Sequence, residues 1–548
     1  MKYLSLFLIA FFCAAPNLYA QSWKTYPYHQ TGSVLNFPRD EGYHPGEVVE
    51  WWYTNAHITG DSTGTDYSYM LTYFYYPTFG FDGFRILELS NETTGQFAQE
   101  TQPCHYPTLS QDHLEIGANV GISGSTHEQW TTLKDSLNNL VPFQYHINAT
   151  GSSGALNVTY NCIRRPLMVG GTGFLYEGIT GYTYYYSETE LQVTGTITLN
   201  GVTEPVHGIA WVDRQWGQFD PSNGEKYTWM SLQLSNGYGY NLWNIFNTAN
   251  QIPDTSTYRF CSIYMNDSTD TTLSDFTLQR LQYVYSSDHA KCYDQKWRLT
   301  DGNTDLTLTA THSNNEVTLP FRFFEGSMDI AGTVNGSSVT GVGYVELLHS
   351  FSNPQIAITS PTGHRYWDAS TPVTWHLSNP DDGDPLFYDV EVSTDNRATY
   401  TKIAHALTDT SFSWAPSLPN GTEGWFRVTA YSIDSTLAGT AVSDSSFILG
   451  TTGIRAMQVD NAKCYPNPFT ALTTITYQLK AQGNLAVDIL DERGAVVQQL
   501  FSGNALPGSY SLVWDGNGKA GTPVADGVYF YRIQQNGKST YGKVVKGE

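Results

Sequence analysis

Charge is scarce in this 548-residue chain. Asp, Glu, Lys and Arg make up 14% of it, against roughly 25% in an average soluble domain. The deficit falls on the basic side: 28 Lys and Arg face 51 Asp and Glu, a net charge of −23. Such a field repels phosphate backbones and anionic lipid, which excludes a nucleic-acid partner. Cysteine is sparse as well. Six occur, none in C-x-x-C spacing, so neither a zinc ribbon nor a thioredoxin motif is present. There is no H-E-x-x-H, no P-loop and no G-x-S-x-G. Beyond the N-terminus no apolar run approaches the ~18–20 residues of a membrane helix. No capped helical pattern of about a dozen residues occurs; 133–140 is the best short candidate.

Aromatic residues, by contrast, reach 14%, with 38 Tyr and 14 Trp. A chain so aromatic and so poor in charge is not largely disordered. Strand chemistry dominates: 67–76 (YSYMLTYFYY), 191–198 (LQVTGTIT) and 227–234 (YTWMSLQL), divided by turn clusters such as Thr59-Gly60-Asp61-Ser62 and Asn200-Gly201. An all-β protein is expected.

The first twenty residues read as a signal peptide: Lys2, an apolar stretch over 4–15, then Leu18-Tyr19-Ala20 before Gln21. The alternative, a lipoprotein signal at Cys13, meets bulky Phe11 and Phe12 where small residues are usual. The expected location is therefore secreted or at the cell surface, reached through the periplasm. Export permits disulfides; Cys261 with Cys292 and Cys104 with Cys162 are candidate pairs, with Cys464 left over and the connectivity open.

Three blocks follow. Residues 21 to about 350 form one large β-rich block. Residues 354–449 carry the patterning of an Ig or fibronectin-III-like sandwich, with Trp375, Trp414 and Trp425 as expected core anchors. A further β unit occupies 455–548. Gly516-Asn517-Gly518-Lys519-Ala520-Gly521 runs into Thr522-Pro523 and reads as a turn, and Gly170-Gly171-Thr172-Gly173 lacks the Lys of a phosphate loop. Asp381-Asp382-Gly383-Asp384 reads as a solvated acidic turn in preference to a calcium site.

Three aromatic–acidic clusters stand out in the large block. These are Glu50-Trp51-Trp52-Tyr53; 207–217 (HGIAWVDRQWG); and 341–347 (GVGYVEL). Period-2 alternation puts Trp211 with Asp213, and Tyr344 with Glu346, on one face. A carboxyl walled by indole and phenol rings has its pKa raised and can act as a general acid near neutrality. Aromatic faces stabilise a developing carbocation. That is the minimum kit for protonating an alkene, and it calls for no cofactor and no metal. The competing structural roles are an ion pair with Arg214 for Asp213 and core packing for the rings.

The four ordered stretches E-W-W-Y, Tyr184-Tyr185-Tyr186-Ser187, G-x-A-W-x-D-R-Q-W-G and G-x-G-Y-V-E-L resemble the AttH / carotenoid 1,2-hydratase (CrtC) family over residues ~40–350. The resemblance implies two lipocalin-like β-barrels side by side, 21–205 and 206–350, with a ligand cavity near their junction. It implies a hydratase, lyase or isomerase, of the hydro-lyase type, acting without cofactor on a hydrophobic, unsaturated isoprenoid or polyene. The catalytic acid would be Asp213. Trp211, Trp216, Tyr184, Tyr186, Glu50, Trp51, Trp52, Tyr53, Tyr344 and Glu346 would bind substrate. The sequence departs from the hydratases in having the Tyr184–Tyr186 run where they have His and Trp, and Trp211 where they carry Tyr. The alternative is a surface protein that binds a hydrophobic small molecule without catalysis.

Cys464-Tyr465-Pro466-Asn467-Pro468-Phe469 and the closing Gly527-Val528-Tyr529-Phe530-Tyr531 resemble the C-terminal sorting domain of type IX secretion, which is close to a flagellar-hook-capping Ig-like unit. This resemblance implies the type IX secretion machinery as a partner and attachment at the outer-membrane surface. The sandwich over 354–449 would then be a spacer, or an adhesive module.

Overall fold

The computed structural model describes residues 22–548 apart from 180, 219–221, 364, 368–370, 384, 416–417, 420, 450–461, 480–481, 536–537 and 548. The expected signal segment with Cys13 and its cleavage site lies outside the described residues, as does Asp384 of the acidic turn.

The protein is almost entirely β. The first sheet holds β1 (Val49–Gly60), β2 (Asp66–Thr78), β3 (Phe81–Asn91), β4 (Gln96–Leu109), β5 (Glu115–Val120) and β6 (Thr126–Lys134). It continues with β7 (Leu140–Thr150), β8 (Gly154–Cys162), β9 (Leu167–Met168), β10 (Phe174–Tyr176), β11 (Tyr182–Leu199) and β12 (Val202–Gly217). β11 closes it into a ten-stranded barrel. Its second half, from Leu191, pairs with β8. A register shift between Glu188 and Leu191 lets the first half leave β8 and take on β9 and β10.

The Asn200-Gly201 turn decides where this sheet ends. Both residues take positive φ (50° and 81°), as a two-residue hairpin of matching twist requires. β11 therefore folds straight back onto β12, and β12 belongs to the first barrel. The sheet runs to Gly217, past the expected division at 205/206.

The second sheet comprises β13 (Lys226–Leu234), β14 (Gly239–Phe246), β15 (Arg259–Asn266), β16 (Thr269–Leu273), β17 (Thr277–Tyr285), β18 (Cys292–Thr300), β19 (Thr304–Ala310), β20 (Glu316–Val317), β21 (Phe323–Val334) and β22 (Ser337–Leu347). Its order is β16-β15-β14-β13-β22-β21-β19-β18-β17, with β20 on β21. Among the described residues no ladder joins β16 to β17, so this second barrel stays open, as a half-barrel.

Three apolar clusters organise this region. One fills the closed barrel around Trp52, Trp130 and Tyr160. One lines the half-barrel around Trp297 and Phe324. The third lies between the sheets and joins Tyr53, Met70, Tyr185 and Trp211 to Trp229, Trp243 and Tyr344.

Several sequence expectations need correction. The short helix over 133–140 is a strand–loop–strand. Asp135 Oδ1 accepts the backbone N–H groups of Leu137 and Asn139, both at 2.8 Å, a local bond that competes with helix. No disulfide joins Cys104 to Cys162 or Cys261 to Cys292. Cys104 and Cys162 lie on β4 and β8, which do not pair. Cys261 packs in the half-barrel core, and Cys292 in a separate cluster with Tyr283 and Phe351.

The chain divides into two compact units. The first is 1–356 with 377–388 and 429–440; the second is the remainder. Three- and six-stranded sheets lie within 356–449, and three- and four-stranded sheets within 463–546. In the second unit Trp375 is buried and Trp414 stacks on buried Trp367, their ring centroids 5.2 Å apart. Trp425 is not a core anchor. It alternates with buried Phe426, so it faces outward, where Arg397 lies over its ring at 4.5 Å.

Candidate functional site

Alternation along three neighbouring strands of the closed barrel builds one wall of a cavity. On β1, β11 and β12 the even-numbered side chains around the centre, among them Trp52, Tyr186, Val212 and Trp216, pack inside the barrel. The odd-numbered ones, Tyr53, Tyr185 and Trp211, face outward, and Asp213 goes with them. The half-barrel supplies the opposite wall from β13, β14, β21 and β22. Between the two lies a cavity of about 770 Å³. Its surface is mostly apolar: Trp51, Phe74, Phe84, Trp229, Trp243 and Ile245 are representative. Among the described residues its ionisable members are four carboxyls (Glu177, Asp213, Glu225, Glu346) and the phenols of four tyrosines, and none is Lys, Arg or His.

Asp213 is 2% exposed. Trp211 Nε1 donates to its Oδ1 at 2.6 Å, and the Tyr185 hydroxyl donates to its Oδ2. That hydroxyl accepts from Asn241 Nδ2 (2.7 Å) and from Trp229 Nε1 (3.1 Å) of the half-barrel. Asn241 Nδ2 also reaches Ser187 Oγ at 3.0 Å. Burial pushes the Asp213 carboxyl up to about 7; bonds from Ser187, Tyr185 and Trp211 oppose the rise. Both oxygens of this carboxyl are thus engaged by neutral donors, and no cation is among its hydrogen-bond partners.

A second acidic group faces it. Glu346 on β22 accepts from the Tyr227 hydroxyl at 2.5 Å, and burial raises it to about 7. Directly across the ladder stands Glu325 of β21, wholly buried, with Tyr53 donating to Oε1 at 2.7 Å. Burial first, then the neighbouring Glu346 and Glu88 charges, hold Glu325 well above the usual carboxylate range. Glu177, also on the lining, takes a bond from Gln215 Nε2 (2.7 Å) and is raised to about 8 by burial.

Of the residues singled out from sequence, Trp51, Tyr53, Asp213 and Glu346 line the cavity, and Trp211 braces Asp213 from behind. Tyr344 stands on the same face as Glu346 but is sealed off, its hydroxyl 3.0 Å from Ser68 Oγ. The other five lie elsewhere, for a reason of parity. On β1, β11 and β12, Glu50, Trp52, Tyr184, Tyr186 and Trp216 are the even-numbered members and point into the barrel. There Glu50 pairs with the buried Arg214 guanidinium and with His44 (2.5 and 2.7 Å). Arg214 Cζ sits 4.1 Å from the Trp52 ring centroid. Trp216 is stacked between His44 and Tyr184, and Tyr186 packs edge-on against Phe37. These residues hold the barrel and do not touch the cavity. Thus Asp213 is not paired with Arg214, whose side chain points the other way.

Sequence reasoning missed Tyr185, Asn241 and Glu325. Tyr185 joins the site through the register of β11 on β12, where it pairs with Gln215, two residues from Asp213 on the same face; Asn241 and Glu325 likewise carry no local signal. Among the described residues no cluster of His, Cys, Asp and Glu could hold a metal ion. His349 bonds Asp381 at 2.8 Å and Asp382 accepts from the Ile252 N–H at 2.8 Å, so the acidic turn has protein partners.

Comparison with known proteins adds the following. A family model described as AttH-like matches residues 28–350, and one described as the FlgD Ig-like domain matches 470–539. The chain is 22% identical over 313 residues to dehydratase asqC of Emericella nidulans, covering 54% of this chain and 84% of that protein. It is 24% identical over 316 residues to kievitone hydratase of Fusarium solani subsp. phaseoli, covering 55% and 82%. A solved AttH structure from Nitrosomonas europaea aligns with a TM-score of 0.49 at 20% identity, over 58% of this chain and 98% of that one.

Proposed function

The chain belongs to the AttH-like family, and we propose that its two-sheet body is a hydratase-type enzyme that needs no cofactor and acts on a neutral, hydrophobic, unsaturated substrate. The observation that carries this reading is the Asp213 carboxyl, held near a pKa of about 7 on the wall of an apolar, aromatic cavity. Addition of water would run as follows. Protonated Asp213 gives its proton to one alkene carbon as the π bond breaks. The positive charge left on the other carbon faces the rings of Trp51, Trp229 and Trp243. Water adds to that carbon while Glu346, as carboxylate, takes the released proton. Substrate plus water becomes the alcohol, and solvent exchange returns both carboxyls to their starting states. Run backward, the same step is a dehydration. Relatives bearing the names dehydratase and hydratase support this reading, and the volume and aromatic, apolar lining of the cavity favour an isoprenoid or polyene chain.

The test is incubation of the purified protein, and of Asp213→Asn, with an apolar lipid extract of the producing cells, followed by mass spectrometry. A species shifted by one water with the wild type alone supports the proposal. The same lipid recovered unchanged from both proteins would make this a binding protein and Asp213 a structural residue.

We further propose that the protein is exported and held at the cell surface through its C-terminal segment. The N-terminal apolar run and the Y-P-N-P-F opening of the terminal Ig-like sandwich support type IX secretion. Deleting 455–548 should trap the protein in the periplasm; unchanged surface display removes the proposal.

A further inference from the structure

The mouth of the cavity carries an unusual set of side chains. Phe79, at the β2–β3 turn, is 97% exposed and has φ of +50°. A bulky aromatic in the left-handed region is an outlier, since such turns ordinarily select Gly, Asn or Asp. Leu319 and Phe321, in the loop before β21, are 59% and 44% exposed. All three line the same cavity. The loop of Leu319 and Phe321 is tied to the first barrel: Thr101 Oγ1 of β4 donates to the Leu319 carbonyl at 2.7 Å, and Gln99 Nε2 to Thr318 Oγ1 at 3.1 Å. Ile179, 70% exposed, adjoins Gly178 on the rim, its N–H held by the Glu225 carboxylate at 3.0 Å.

Large apolar side chains from three separate loops thus project into solvent around the entrance to an apolar chamber. Scattered exposed apolar residues are ordinary, but a cluster rimming a ligand opening marks an interaction surface. The surface also has a sign. Among the described residues no Lys or Arg lines the cavity, Arg322 beside Phe321 is neutralised by Asp288 and Glu316, and the chain's net charge of −23 gives an overall field that repels anionic headgroups. What remains is insertion of apolar side chains into an uncharged interface.

We propose that this rim docks on a lipid surface of zwitterionic or neutral headgroups, with Phe79, Leu319 and Phe321 inserted, so that the cavity opens directly onto the bilayer and takes its ligand from it. The inference needs the cavity and its rim, not the chemistry of Asp213, so the two can fail separately.

The experiment uses the full chain and phosphatidylcholine vesicles. Phe79→Cys and Ile122→Cys variants are each labelled with an environment-sensitive fluorophore. Ile122 is 86% exposed and belongs to a loop outside the cavity, so it serves as the control position. The emission at position 79 should shift to the blue and intensify on adding vesicles, while that at 122 stays as in water. The triple variant Phe79→Asn/Leu319→Ser/Phe321→Ser should lose about tenfold or more in vesicle partitioning. It should melt at or above the wild-type temperature, because Asn suits the left-handed position. Substituting anionic phosphatidylglycerol should weaken binding at low salt. Equal responses at 79 and 122, or full partitioning of a folded triple variant, overturn the proposal.

Discussion

The Tyr185 hydroxyl donates to Asp213 on the outer face of one barrel while it accepts from Trp229 and Asn241 of the facing sheet. The hydrogen bonds around Asp213 thus involve groups from both sheets, although the carboxyl and the phenol sit on adjacent strands.

Removing that phenol gives the first prediction. The Tyr185 bond stabilises the carboxylate and holds the pKa of Asp213 down against burial. Tyr185→Phe should therefore raise the Asp213 pKa above about 7. If Asp213 works as an acid, activity falls as pH rises through its pKa, so the alkaline limb of the pH–rate profile should move upward in Tyr185→Phe. Asp213→Asn should lose roughly 10²–10⁴ in turnover, the usual worth of a general acid, with the fold intact. A limb that stays in place would detach Tyr185 from the proton-donating group.

Arg214 and Asp213 are chain neighbours with opposite assignments, and stability separates them. Arg214 is fully buried, pairs with Glu50 and donates to the carbonyls of Glu41, Gly42 and Trp51. Arg214→Gln leaves the Glu50 carboxylate buried without its cation, which costs about 3–5 kcal/mol. Asp213→Asn keeps shape and removes a charge that burial disfavours, so it should change unfolding free energy by no more than ~1 kcal/mol near pH 7. Urea denaturation of the two variants compares them directly; equal losses would contradict the partition of roles.

Buried acids also set a pH dependence of stability. Burial holds Asp213 and Glu188 up to about 7 and Glu41 up to about 8. Each is protonated in the native state at pH values where the unfolded chain has already lost the proton. Between about pH 4 and pH 8 the native state therefore binds more protons, and stability declines with rising pH, levelling off above about 8. Glu50, which burial would raise but the Arg214 charge and the His44 bonds hold below its usual value, works in the opposite sense: its contribution is present above the unfolded pKa and is lost as pH falls below that. Thermal melting should drop from pH 5 to pH 8, and Asp213→Asn or Glu188→Gln should flatten the slope. A melting temperature that rises across this window would refute the assignment of these acids as neutral in the native state.

Much of the site was legible because period-2 alternation is a strict local rule. It put Trp211 and Asp213 on one face, and Tyr344 with Glu346, as the structure does. The same rule, carried across the ladders to β1 and β11, would have sent Trp52, Tyr184 and Tyr186 into the barrel; reading aromatic clusters as units hid that. Barrel closure was not readable. It depends on an irregularity between Glu188 and Leu191 that has no composition signal. Nor was the pairing of Glu325 with Glu346, which needs the register of β21 on β22.

The cavity's charge makes a last prediction about ligand class. Among the described residues it offers carboxyls and phenols but no lining cation. A ligand carboxylate entering it would leave water without an opposite charge to meet, and a desolvated, unpaired carboxylate is unfavourable by several kcal/mol. It would also stand near Asp213 and Glu346, and each charge would raise the other's pKa. An uncharged chain end meets none of this. Retinol and retinoic acid share one polyene and differ in that end. Retinol should quench the cavity tryptophans Trp51, Trp229 and Trp243 at concentrations at least roughly tenfold lower than retinoate does at pH 8. The gap should narrow toward pH 5, where the acid becomes neutral. Equal binding of both at pH 8 would mean that a cation reaches the cavity from outside its lining, and the neutral-substrate reading would have to be given up.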